Sequence, residues 1–228
     1  MNYIIGISGL AGDGKDSVCR ILNNWVAKNR SKFNFHRIAL ADALKEECRD
    51  AILDIYGIDV LDCGREDKEK IRDLLVFHGK MKRLETKGTY WTTQASFRML
   101  KKIRGRTDDS VFCIPDIRYS HFENDEIDWI KSGARLANSG PYSSCLIHVK
   151  KFTISHSLVD GSVIKTYSSP VNEEEKKNNP KVEQEADFII EWQDKSPVKP
   201  EDDEDCVNSV NYLAERIFGA PETNNSAI

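Results

Sequence analysis

The sequence predicts an α/β three-layer sandwich built on a five-stranded parallel sheet. Three observations carry that prediction. Five short apolar runs are spread along the chain, the segments between them hold apolar residues at helical spacing, and a glycine-rich turn joins the first run to the first helical segment. Runs that are apolar on both faces belong to buried parallel strands, which need right-handed crossover connections. Ligands of such sheets gather at the carboxyl ends of the strands.

The elements follow in order. Tyr3-Ile4-Ile5-Gly6-Ile7-Ser8 is too continuously apolar for a half-exposed strand and reads as a central one. From Gly14 onward Val18, Leu22, Trp25 and Val26 recur at helical spacing, and the polar cluster at 28–31 ends the pattern. Phe35–Leu40 is the second strand, and Asp42 is placed to cap a helix that starts at Ala43. Val111–Ile114, Cys145–Val149 and Phe188–Ile190 supply the remaining three strands. Between the last two, Asp160-Gly161 sits between runs containing Ile154, Leu158, Val163 and Ile164, the pattern of a small hairpin. The segment 172–180 is charged and poor in apolar residues, which predicts a mobile stretch or a surface insertion. Val207, Val210, Leu213, Ala214, Ile217 and Phe218 form one stripe of a final helix, stopped by Gly219 and Pro221, and the tail 222–228 is expected to fray.

At 228 residues the chain fits one domain, with a basic acceptor-binding insert at about 60–108 and a lid-like hairpin insert at about 150–185. The composition, 39% apolar and 31% charged, suits a globular protein, and the net charge of −4 disfavours nucleic acid or an anionic membrane as partner. A small molecule is the favoured ligand. No apolar stretch approaches the roughly 20 residues of a membrane span. The start MNYIIGISG lacks a basic region and a long apolar one, so no signal peptide is expected and the location is cytoplasmic. The six cysteines lie far apart, with no zinc-type spacing. The Lys- and Glu-bearing helices show no dimer seam, and a homodimer is left open.

Charge is unevenly distributed. Residues 65–106 hold thirteen Lys/Arg against five Asp/Glu, and residues 171–206 hold five against thirteen. Two solvated faces that attract each other are one explanation; a basic insert that handles a phosphate is the other.

The turn Gly9-Leu10-Ala11-Gly12-Asp13-Gly14-Lys15 matches G-x-x-x-x-G-K between a strand and a helix, the context that a P-loop requires. Its glycines let the backbone N–H groups face inward, the helix start adds positive partial charge, and Lys15 reaches the β- and γ-phosphates of a nucleotide. ATP is the implied donor. Asp16 follows Lys15 where Ser or Thr usually holds Mg²⁺, and Ser17 comes one place later. The Asp16 carboxylate is a hard oxygen ligand suited to Mg²⁺; alternatively it serves only the helix dipole.

These residues resemble the deoxynucleoside monophosphate kinases of large DNA bacteriophages, P-loop relatives of adenylate kinase and phosphomevalonate kinase. Gly14-Lys15-Asp16-Ser17 looks like that family's G-K-D-[ST] variant, which makes Asp16 an expected residue. Leu40-Ala41-Asp42-Ala43-Leu44-Lys45 is similar to its stretch after the second strand. Arg72-Asp73-Leu74-Leu75, Gly79, Arg83 and Tyr90-Trp91 match its R-x-L-[LM]…G…YW order. Pro115-Asp116-Ile117-Arg118 looks like its P-D-x-R turn, and Ile147-His148-Val149 like the strand that follows. The chain departs from the family at Phe77-His78-Gly79-Lys80 and at Lys150-Lys151. The resemblance implies a P-loop NTPase fold of the nucleoside monophosphate kinase type.

An acceptor phosphate monoester, with a second pKa of about 6, is already an anionic nucleophile. Catalysis then consists of positioning and positive charge, with no general base. Arg118 and Arg72 are the best candidates because guanidinium clamps phosphate in two places. Asp116 either orients Mg²⁺ or pairs locally with Arg118. Arg72 and Arg83 either bind the acceptor phosphate or decorate a helix, and Tyr90 and Trp91 either stack on a base or fill core. Asp42 and Lys45 are candidate acceptor contacts, with capping and solvation as their alternatives. The expected activity is ATP- and Mg²⁺-dependent transfer to a deoxynucleoside 5′-monophosphate. Its competitors are a kinase for dephospho-coenzyme A or a phosphomevalonate-like acceptor, and a nucleotide-binding module without turnover.

Overall fold

The first apolar run forms β1 (Asn2–Ser8), the middle of a sheet, in the computed structural model, which describes residues 1–105, 108–135, 142–157 and 160–219. Strands β2 (Asn34–Arg37), β3 (Ser110–Ile117), β4 (Tyr142–His156) and β6 (Phe188–Gln193) complete a parallel set in the order β2-β3-β1-β4-β6. A sixth strand, β5 (Val163–Tyr167), runs antiparallel to the distal part of β4. The sheet is therefore mixed and six-stranded, which corrects the expectation of five parallel strands alone. β4 runs on past the parallel region into the predicted hairpin. There Phe152 pairs with Gln193 of β6 and with Tyr167 of β5. Leu158 of that hairpin lies outside the described residues, as do Pro221 and the tail 222–228.

Both faces of β1 are covered, as its unbroken apolar run requires. Ile5 and Ile7 pack with Val18, Leu22 and Trp25 of α1 (Lys15–Asn29) and with Val210 and Phe218 of α7 (Glu204–Phe218). Ile4 packs on the other face with Phe112, Trp91 and Met99 of α4 (Thr89–Ile103), and Ile127 and Ile130 of α5 (Glu126–Lys131). Each fully buried side chain of this size contributes about 1.5–3 kcal/mol. The basic insert consists of α3 (Arg65–Glu85) and α4, and α3 rests on α2 (Leu40–Tyr56) through Ile71, Cys48, Ile52 and Val60.

Two boundaries differ from the sequence expectation for identifiable reasons. β2 stops at Arg37 and α2 begins at Leu40, because the Asp116 carboxylate on β3 accepts the N–H groups of Leu40 (2.9 Å) and Ala41 (2.8 Å). The cap of α2 thus comes from a distant strand, and Asp42 lies inside the first turn, where its Oδ2 accepts the Ala39 N–H at 3.4 Å. The segment expected to be irregular forms α6 (Glu173–Gln184) instead. Asn172 caps it by accepting the Glu175 N–H at 2.8 Å, and three glutamates in the first turn suit the positive helix end. No helix among the described residues is long and apolar enough to cross a membrane.

Candidate active site

The loop between β1 and α1 carries the G-x-x-x-x-G-K sequence on a tightly turned backbone. Gly9, Gly12 and Gly14 all have positive φ, at 137°, 85° and 86°. Gly9 has a second constraint, since a β-carbon there would lie 2.4 Å from the Val149 carbonyl oxygen. Inside the loop the buried Asp13 carboxylate accepts the Leu10 N–H at 3.0 Å, while Trp192 Nε1 donates to the Asp13 carbonyl at 2.8 Å. Burial raises the pKa of Asp13, and a hydrogen bond from Ser168, just beyond β5, opposes the rise.

Lys15 folds back over the loop, and its Nζ donates to the carbonyls of Gly9 (2.9 Å) and Leu10 (2.6 Å). Burial, aided by the charge of Arg118, lowers its pKa to about 8. Gly14 supplies no side-chain cap to α1, so the first-turn amides of the helix have no intrahelical partner. They open onto a cavity of about 310 Å³ lined by Gly12, Gly14, Lys15, Asp16, Ser17 and Trp192. Asp16 lies exposed at its edge, 3.2 Å from Arg37, and the Ser17 hydroxyl accepts from Arg20 at 3.0 Å. An exposed carboxylate and a hydroxyl at the open start of α1 are hard oxygen donors of the kind that fit Mg²⁺, which takes most of its remaining oxygens from water. Among the described residues no three His, Cys, Asp or Glu side chains cluster as a complete metal site.

A second cleft, of about 450 Å³, lies between the end of β3 and helices α2, α3 and α4. Six cations line it, Lys45, Lys68, Arg72, Lys80, Arg83 and Arg118, against two carboxylates, Asp116 and Glu126. Arg118 follows directly on β3. Its N–H and that of Tyr119 donate to Glu126 Oε2 at 2.6 and 3.0 Å, so the backbone that carries the guanidinium is held from α5. Burial pushes Glu126 up to about 8, against the pull of Arg83. Arg83 is itself buried, lies 3.4 Å over the Tyr119 ring and bonds Asp125 at 2.5 Å, and its Nε has no partner among the described residues. Arg72 is half exposed and forms a two-pronged bond with Glu69.

The structure brings Lys45, Arg72, Arg83, Trp91, Asp116 and Arg118 to one cleft. Trp91 is a buried wall residue, with Nε1 on the Gly79 carbonyl at 3.1 Å and its ring edge-on to Tyr90 at 4.8 Å. Asp42 does not line the cleft and pairs with Arg37 at 3.2 Å. Asp116 spends both oxygens on the amides of α2, and the ion-pair partner of Arg118 is Glu175, at 3.4 Å. Sequence reasoning passed over Lys68, Lys80, Tyr119, Glu126 and Glu175. The excess of basic residues in 65–106 was the available signal for Lys68 and Lys80. No local pattern marked Glu126 or Glu175. A smaller cavity of about 220 Å³ touches Gly9 of the loop together with Arg72, Arg118 and Glu175, and so joins the two sites.

No protein-family model matches the chain, and no curated protein matches it. Among solved structures, TT1252 from Thermus thermophilus aligns over 96% of this chain and 99% of its own, at 14% identity and a TM-score of 0.45. A gluconokinase from Sinorhizobium meliloti 1021 aligns over 95% of each chain, at 12% identity and a TM-score of 0.34. The chemistry of the site therefore rests on its own geometry.

Proposed function

We propose that this protein is a kinase that transfers the γ-phosphoryl group of ATP to a small phosphorylated acceptor, a deoxynucleoside 5′-monophosphate. The observation that carries the reading is the six-cation cleft beside the P-loop, linked to it by a cavity that Arg72 and Arg118 share. A loop alone fits any nucleotide-binding protein. A loop facing a second, strongly cationic cleft fits transfer between two phosphorylated compounds.

In this reading the amides of the loop and of the α1 start hold the triphosphate, and Lys15 leaves its two carbonyls to follow the β- and γ-phosphates. Asp16 and Ser17 would hold Mg²⁺, which would supply positive charge beside the phosphate oxygens of the nucleotide. The acceptor phosphate is already ionised and lies against Arg72, Arg83 and Arg118. Arg118 stands where both phosphates reach it and stabilises charge on the transferring group. The carboxylate of Asp116 fixes the start of α2, which forms one wall of the acceptor cleft.

A second reading has a specific observation in its favour. The Trp91 indole is packed inside the wall, and Arg83 covers the Tyr119 face. Both aromatic faces among the described residues lining the cleft are thus taken, which favours a phosphorylated acceptor without a base, of the phosphomevalonate type. Coupled ADP production with each common deoxy- and ribonucleoside monophosphate, dephospho-coenzyme A and phosphomevalonate separates the readings. Turnover with a deoxynucleotide that is lost in Lys15→Ala supports the first. ATP binding without ADP formation under every acceptor overturns both.

A further inference from the structure

Helix α6 is held to the rest of the protein mainly by charge. Val182 is its one buried apolar side chain, whereas Lys80–Glu174 (3.6 Å), Arg118–Glu175 (3.4 Å) and Lys150–Glu183 (2.6 Å) tie it down. Glu175 differs from its neighbours. It is 8% exposed and lines the cavity joining the P-loop to the acceptor cleft. Its charge acts on Arg72 and Arg118, which line that cavity with it, and on Lys15 of the loop.

Its contacts are also loose. Oε1 meets Arg118 Nη1 at 3.4 Å and Oε2 accepts the Val171 N–H at 3.3 Å, whereas charge-assisted bonds commonly run to about 2.7–2.9 Å. A buried carboxylate among three cations, tightly bonded to none, is the arrangement of a replaceable anion. A phosphate carries more charge and more acceptor oxygens than a carboxylate and competes well for the same guanidinium.

We propose that Glu175 is a built-in stand-in for a substrate phosphate: its carboxylate occupies the anion position beside Arg118 in the empty protein, and an entering phosphate displaces it and, with it, the first turn of α6. The inference rests on the reading of the cleft as a phosphate site. It adds that the site is self-occupied, which lowers affinity for weak anions and couples phosphate entry to movement of α6.

The test is calorimetric titration of the intact protein with inorganic pyrophosphate in the absence of ATP, with thermal melts to verify folding. Glu175→Gln removes the competing charge and is expected to bind pyrophosphate about tenfold more tightly than the wild type. Adding Arg118→Ala to that variant should cancel the gain. Equal affinity in wild type and Glu175→Gln overturns the proposal, as does weaker binding, which would make Glu175 an organiser of Arg118, or an undiminished gain in the double variant. If neither protein binds pyrophosphate, the stand-in role fails as well. The kinase reading is judged separately by ADP formation. Turnover without the Glu175→Gln gain overturns only the stand-in, and the gain without turnover overturns only the kinase.

Discussion

The carbonyl oxygen of Val149 lies 2.4 Å from the point that a β-carbon on Gly9 would occupy. Gly9 also sits at φ 137°, so an alanine there meets a backbone clash and a disfavoured conformation together. Gly12 shares only the second problem, because nothing stands within 4 Å of its β position. Gly9→Ala should therefore cost on the order of 3 kcal/mol or more, against about 1 kcal/mol for Gly12→Ala. Urea denaturation measures both. Equal losses would mean that the contact between β4 and the loop is not rigid.

Lys15 titrates near 8 when its ordinary value is 10.5, chiefly because it is buried. Between those values the unfolded chain holds a proton that the folded one has released, so this group makes stability rise with pH across that window. A bound triphosphate reverses the preference, since its charge favours the ammonium form. Nucleotide binding at about pH 8.5 should accordingly take up a substantial fraction of one proton. Calorimetry in two buffers of different ionisation enthalpy reads that uptake directly. Lys15→Met should abolish it, and uptake that persists in the variant would assign it elsewhere.

Arg83 and Arg72 line the same cleft but should fail differently. Removing Arg83 takes the cation bonded at 2.5 Å from the fully buried Asp125 and leaves its carboxylate, among the described residues, only the N–H groups of His121, Phe122 and Glu126, and breaking such a buried pair costs about 3–5 kcal/mol. Arg72 is half exposed and paired with Glu69 one helical turn away, so Arg72→Ala should change stability by about 0.5 kcal/mol or less. If the cleft holds the acceptor phosphate as proposed, its effect should fall on acceptor KM. Thermal melts together with acceptor kinetics distinguish the two, and a melting temperature unchanged in Arg83→Ala would contradict a structural part for Arg83.

The parts of the fold and the site that could be read from the sequence are those encoded locally. The P-loop is a contiguous motif whose glycines serve its own backbone, and β1, α1 and α7 show their periodicity within single segments. What escaped depends on partners distant in sequence. The start of α2 is set by Asp116, some seventy-five residues away, so the apolar run 38–40 reads as strand although Leu40 is helical. α6 lacks an apolar stripe and holds its place through pairs such as Lys150–Glu183, invisible to periodicity. Glu126 looks like an ordinary first-turn acid until the fold sets it beneath the Arg118 backbone. The sequence left Trp91 open between stacking on a base and filling core, and the packing that buries it, with its N–H on the Gly79 carbonyl of α3, is not visible locally.

Asp116, near the end of β3, and Arg118, just past it, stand two residues apart, and their substitutions should separate cleanly. Asp116 satisfies two amides at the start of α2, so Asp116→Ala should lower stability by about 1–2 kcal/mol and loosen the wall that carries Lys45. Arg118 has a 42% exposed side chain and one long ion pair, so Arg118→Ala should leave stability nearly intact. If its guanidinium stabilises the transferring phosphoryl group, kcat should fall about 10²-fold or more. Denaturation midpoints and steady-state kinetics on both variants decide the matter. The assignment fails if Arg118→Ala melts early with kcat preserved, or if Asp116→Ala keeps full stability while losing turnover, since the carboxylate would then belong to the chemistry and not to the helix.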